Sequence, residues 1–150
     1  MLPNSMEDAT LTAHLAAQDR AEAAEGMTYR ELLAAYDEVS EAGDWALTDI
    51  LRGKIEECKS DARIALRKAF KDAASLLPFP TRIMRVVNGE IECTFIDDWI
   101  RECADTKQYS EMMLDMLIGT RTRDSIIAAM ADEYVELCCE DLLLAGFRPE

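Results

Sequence analysis

The run from Trp45 to Leu77, WALTDILRGKIEECKSDARIALRKAFKDAASLL, constrains this chain most: it contains no proline and a single glycine, Gly53. Leu51, Ile55, Cys58, Ala62, Ala65, Ala69, Ala73 and Leu76 recur at steps of mostly four and three. That heptad-like seam predicts one long helix whose alanines let a neighbour approach closely. Unbroken, it would be roughly 50 Å long at about 1.5 Å per residue, against a diameter near 38 Å expected from about 15 Å of radius of gyration for a domain of this length. The helix must therefore bend, with Gly53 the expected place, or project and pack against something, which brings in self-association.

Both ends of the run are marked. Gly43 is a helix C-cap and Asp44 at once an N-cap, so the connection is very short and the preceding helix should fold back antiparallel. That preceding helix opens with a capping box, Thr28 with Glu31, and carries Leu32, Leu33, Tyr36 and Val39 on one face. A weakly apolar, alanine- and glutamate-rich helix is expected before it, from about Met6 to Glu25, closed by Gly26. At the far end the PFP of Pro78 to Pro80 stops the long helix, because proline removes a donor and pushes its predecessor to extended geometry.

Beyond the prolines RIMRVVNGEIECTF alternates as strands do, and Asn88-Gly89 is the preferred pair for a two-residue type I′ turn. Turning there sets Val87 opposite Glu90, Val86 opposite Ile91, Arg85 opposite Glu92 and Met84 opposite Cys93. One face then holds Met84, Val86, Ile91, Cys93 and Phe95, expected to lie on the protein's own core. The other shows an Arg85–Glu92 cross-strand ion pair with Ile83, Val87 and Thr94 nearby. A lone hairpin is marginal in water, so it must rest on helices, either as a flap or with edges that accept a partner's strand. Asp97 and Asp98 cap a short helix carrying Trp99 and Cys103. A second spans about Thr106 to Ile118, and Thr122 caps a long final helix running to Gly146.

The fold class is mainly α: a helical bundle of about six helices with one long central helix and a single β-hairpin at about residues 82–96. One domain is expected, with a helical hairpin over 28–77, the β-hairpin over 82–96 and the C-terminal helices over 98–146.

Charge narrows the functional classes. The 30 acids against 16 bases give a formal net charge of −14, which disfavours direct nucleic-acid binding or an anionic membrane surface, since both demand a basic face. The acids gather in rows at helical spacing: Asp19, Glu22 and Glu25; Asp37, Glu38 and Glu41; Glu133, Glu136 and Glu140. These rows, together with Arg85 and Glu92, are the candidate partner-binding residues. Carboxylates recur about every 5 Å along such a row against one phosphate per ~3.4 Å of a DNA strand, so mimicry of nucleic acid would need two rows side by side. The opposite sign appears once as a stripe, Lys59, Arg63, Arg67 and Lys71, expected to pair with the acidic helices or simply to be solvated.

Catalytic chemistry finds little footing. The one histidine, His14, shares a stripe with Leu11 and Leu15 and reads as structural, and no ExxH pattern precedes it. The five cysteines, Cys58, Cys93, Cys103, Cys138 and Cys139, show no CxxC pair, which fits reduced thiols in a cytoplasmic protein. No Walker or GxGxxG pattern is present, and no cofactor or metal is expected. The start MLPNSMED lacks a signal peptide's basic and apolar regions, and the apolar runs are too short to span a bilayer. Tyr109, Met112, Met113, Met116 and Leu117 form a soft apolar surface expected to fill core.

In composition the chain resembles a general type, the small acidic helical proteins that act by binding other proteins, phage inhibitors of host nucleic-acid enzymes among them. That likeness implies a non-enzymatic regulator or inhibitor whose partner is a protein with a basic surface, such as the nucleic-acid groove of a restriction, CRISPR or transcription complex, reached by direct binding or by DNA mimicry. The alternative is a structural or assembly protein, a homo-dimer or larger oligomer built through the long helix or the hairpin edge.

Overall fold

The computed structural model describes residues 26–76, 79–102 and 106–149. In order they form α1 (Tyr29–Glu41), α2 (Trp45–Ser75), β1 (Arg82–Val87), β2 (Glu90–Phe95), α3 (Ile96–Glu102), α4 (Thr106–Ile118) and α5 (Arg123–Leu144). The expected class stands: mostly helical, with a two-stranded antiparallel hairpin. The helix expected over about 6–25 lies outside the described residues, as does His14. No described helix is long and apolar enough to cross a membrane.

The capping chemistry sets the boundaries. Thr28 accepts from the Glu31 amide and Glu31 accepts from the Thr28 amide, the reciprocal box that starts α1. Asp44 accepts from the Leu47 amide at the head of α2, and Thr122 accepts from the Ser125 amide at the head of α5, each satisfying a donor that the first helical turn leaves unpaired. Gly43 at φ +77° allows the chain to leave α1 and enter α2 within three residues.

The α2 helix runs for 31 residues without a break at Gly53. That glycine is exposed, and a Cβ added to it would meet nothing within 4 Å. Gly53→Ala should therefore stabilise the protein by about 0.5–1 kcal/mol through helix propensity alone, raising Tm by about 1–4 °C; a thermal unfolding scan checks it.

The chain divides into two compact units, residues 1–58 and 59–150. In the first, Tyr29 and Leu32 of α1 and Leu47, Thr48, Leu51 and Ile55 of α2 are buried. Thr48 avoids an unpaired hydroxyl by donating to the Asp44 carbonyl.

The second unit is built on an aromatic cluster. Phe70 of α2 stacks on Tyr134 of α5 at 5.1 Å between ring centres, and both meet Trp99 of α3 edge-on at 5.5 Å. All three rings are at most 1% exposed. Ala62, Leu66 and Ala74 of α2, Ile96 and Ile100 of α3, and Ile126, Met130, Ala131, Val135, Cys139, Leu142 and Leu143 of α5 complete the core.

The buried line of α2 corrects the expected seam. Leu51, Ile55 and Ala62 lie on it as read, but from there it follows Leu66, Phe70 and Ala74, while Ala69 is exposed and Leu76 is 57% exposed. Steps of four around a helix of 3.6 residues per turn drift only slightly, and burying leucine and phenylalanine removes far more apolar area from water than burying alanine. The bulky residues therefore take the core side together with Ala62 and Ala74, and Ala65, Ala69 and Ala73 are left at its margin.

Candidate interaction surfaces

The hairpin register is the expected one, with Arg85 opposite Glu92, Val86 opposite Ile91 and Met84 opposite Cys93. Asn88 at φ +53° and Gly89 at φ +81° make the turn, both in the left-handed region that a type I′ turn requires. The expected division into a core face and a partner face is not what forms. Burial separates the two strands instead: Ile83 is buried and Met84 to Val87 are half-buried, whereas β2 is exposed at every position but Thr94. Of the face assigned to the core, Ile91 is 36% and Phe95 41% exposed, and Cys93 is exposed too. Ile83, at 5% exposure, comes from the opposite face.

The cause is edge-on docking. In a hairpin closed by a two-residue turn the pairs alternate, so Arg82, Met84 and Val86 on β1 and Ile91, Cys93 and Phe95 on β2 aim their backbone groups away from the ladder. On β1 that outer edge lies along α5, and the Tyr134 hydroxyl donates to the outward Met84 carbonyl. Main-chain satisfaction and ring burial thus pull β1 inward and leave β2 outside.

Arg85 is bonded to Glu102 of α3 at 2.5 Å, a partner 17 residues away that cross-strand spacing could not show. Glu92 stands exposed on β2. Arg82 lies over the Phe95 ring, 4.7 Å from its centre, a cross-strand cation–π contact on the outer part of the hairpin.

The basic stripe turns toward α5 as expected. Arg67 pairs with Asp132 at 2.6 Å, and the positive charge of Arg63 opposes the rise that burial imposes on the Cys139 thiol's pKa. Other bases are also occupied locally: Arg52 with Asp49, Lys54 with Glu57, Lys68 with Asp72 and Arg101 with Asp98. The Tyr36 hydroxyl accepts from Arg52 and, with Asp49, raises that guanidinium's pKa further, so its charge is permanent.

The acidic rows have the opposite fate. Asp37, Glu38 and Glu41 on α1 and Glu136 and Glu140 on α5 are exposed, and Glu133 is half-exposed. Among the described residues no cation is bridged to Asp37, Glu38, Glu41, Glu136 or Glu140. Asp19, Glu22 and Glu25 lie outside the described residues.

Among the described residues of the second unit, two hollows stand out. The larger, about 830 Å³, runs between α2 at Ile64 and Lys68, Met84 of β1 and the tail at Phe147 and Arg148. The smaller, about 240 Å³, sits between Arg85 and Val86 and the α5 residues Leu137, Cys138 and Asp141. The smaller brings the Cys138 thiol and the Asp141 carboxylate to one lining, and among the described residues no group of three or more histidine, cysteine, aspartate or glutamate side chains is placed to hold a metal ion. Of the soft apolar surface expected on α4, Met116 is half-buried and Leu117 is 80% exposed, while the side chains of Tyr109, Met112 and Met113 lie outside the described residues; Leu114 and Ile118 beside them are 56% and 66% exposed. Compared with protein-family models, with curated proteins and with solved structures, the chain matches none.

Proposed function

We propose that this protein is a non-enzymatic regulator that binds a protein partner through its acidic helical rows, occupying a basic surface of the kind that handles nucleic acid. The observation that supports this reading is the asymmetry of pairing. Among the described residues ion pairs consume Arg52, Lys54, Arg67, Lys68, Arg85 and Arg101, while Asp37, Glu38, Glu41, Glu136 and Glu140 stay exposed. Exposed pairs stabilise a fold by only about 0–1 kcal/mol each, so carboxylates left outside such pairs cost the fold little and keep a negative field available to steer a basic partner.

Reversing Asp37, Glu38 and Glu41 to lysine, Glu133, Glu136 and Glu140 to lysine, and Asp19, Glu22 and Glu25 to lysine, as three separate variants, tests it. At least one variant should lose about tenfold or more in affinity for the partner, roughly 1.4 kcal/mol, with the fold intact by circular dichroism. Unchanged binding in all three contradicts the reading. A second reading, assembly with copies of itself, is favoured by the exposure of β2.

A further inference from the structure

We infer that the outer edge of β2 pairs antiparallel with the same edge of a second copy, about a two-fold axis at Cys93, making a continuous four-stranded sheet. This surface is separate from the acidic rows and does not rest on their role.

The edge is open and regular. Ile91 and Cys93 point their amides and carbonyls outward and Phe95 its amide, the Phe95 carbonyl being the first acceptor of α3, whereas Met84 on the opposite edge is taken by Tyr134. Sheet edges are ordinarily blunted by a bulge, a proline or a lysine. The ladder from Glu90 to Phe95 is unbroken and contains none of these.

The occupant follows from register and charge. A two-fold antiparallel pairing must set outward residues opposite outward residues, and the turn before Glu90 and the helix from Ile96 confine it to β2. Two registers use five residues of the strand. The one centred on Glu92 sets that carboxylate against its own copy in a non-hydrogen-bonded pair, where side chains are closest and like charges repel. The one centred on Cys93 sets Cys93 opposite Cys93, Ile91 opposite Phe95, Phe95 opposite Ile91, and Glu92 opposite Thr94. No carboxylate then faces another directly, about four backbone hydrogen bonds form from three pairs, and the exposed Ile91 and Phe95 side chains cover one another across the axis. Glu92 thus leaves the edge available and excludes the alternative register. A five-residue edge is a small interface, so a dissociation constant of roughly micromolar order is expected. Because each copy carries a net charge of −14, added salt should strengthen the dimer by screening repulsion, opposite to its effect on a basic partner.

The test is sedimentation velocity of the full chain under reducing conditions, with crosslinking by a short-spacer bismaleimide in a background where Cys58, Cys93, Cys103, Cys138 and Cys139 are serine. Restoring Cys93 alone should give a covalent dimer. Ile91→Cys mixed with Phe95→Cys should crosslink, while Ile91→Cys alone should not, its two copies lying about 13 Å apart along the strands at ~3.4 Å per residue. Sedimentation of the unmodified chain should move with concentration toward twice 16.8 kDa, and Cys93→Lys should return it to monomer with unchanged circular dichroism. A monomer at every concentration up to about 100 times the micromolar scale expected of such an edge overturns the proposal, as does a dimer that survives Cys93→Lys or crosslinks through Ile91→Cys alone. Loss of dimer with retained partner binding separates it from the acidic-row reading.

Discussion

Replacing Phe70 with alanine is expected to cost about 3–5 kcal/mol of folding stability, the range for emptying a fully buried aromatic site. Phe70 is 0% exposed and is the only member of the ring cluster supplied by α2. Its removal takes away a stacked partner of Tyr134 and an edge-on partner of Trp99, contacts that add about 0.5–1.5 kcal/mol each beyond area burial. Much of the roughly 5–15 kcal/mol that holds a domain folded would go with one side chain. Urea unfolding followed by tryptophan fluorescence measures it, and Ala69→Ser, one position away on the exposed side, should change stability by no more than about 0.5 kcal/mol. Similar losses in the two variants would place the core on the alanine seam instead.

A second large effect is expected at alkaline pH. Burial, and secondarily Cys138, Cys93 and Cys139, push the Tyr134 hydroxyl's pKa well above the ordinary tyrosine value, and only the protonated hydroxyl can donate to the Met84 carbonyl. The folded state therefore binds this proton more tightly than the unfolded state does. The stability this provides is complete below the unfolded value of about 10 and declines above it by about 1.4 kcal/mol per pH unit, or about 2–3 kcal/mol by pH 12. Cys139, also raised by burial, adds a decline of the same sign starting near its ordinary value. Tyr134→Phe should cost about 1–3 kcal/mol at neutral pH, because the Met84 carbonyl loses its partner, and should flatten the alkaline slope. Parallel pH profiles for the two proteins would show that Tyr134 does not carry the dependence.

The fold was legible wherever local chemistry decides it. Thr28 with Glu31, Asp44, Thr122 and the Asn88-Gly89 turn each act within four residues, and each stands where the sequence put it. What could not be read were choices made by distant partners. The seam drifted from Ala69 to Phe70 because Trp99 and Tyr134 offered a place for a ring, and neither is near in sequence. The hairpin's faces misled for a similar reason. Alternation reports which residues share a face, and the more apolar face was assigned to the core; yet the hairpin docks by its β1 edge, a mode that leaves no period-two signature. Arg85 found Glu102, 17 residues away, where spacing pointed to Glu92, and Leu117 faces outward although its helix is rich in methionine. The acidic rows on α1 and α5 were visible as helical spacing, and their exposure follows from lying away from Leu32 and Tyr134.

Affinity capture from the native cell with the full chain as bait, washed at low and at high salt, tests most directly whether the acidic surface does the binding. The expected result is a protein with a basic surface, retained at low salt, released at high salt and lost when the contacting row is reversed to lysine. A partner held equally at both salts and by all three reversed variants, or nucleic acid bound directly by the purified chain, would contradict it.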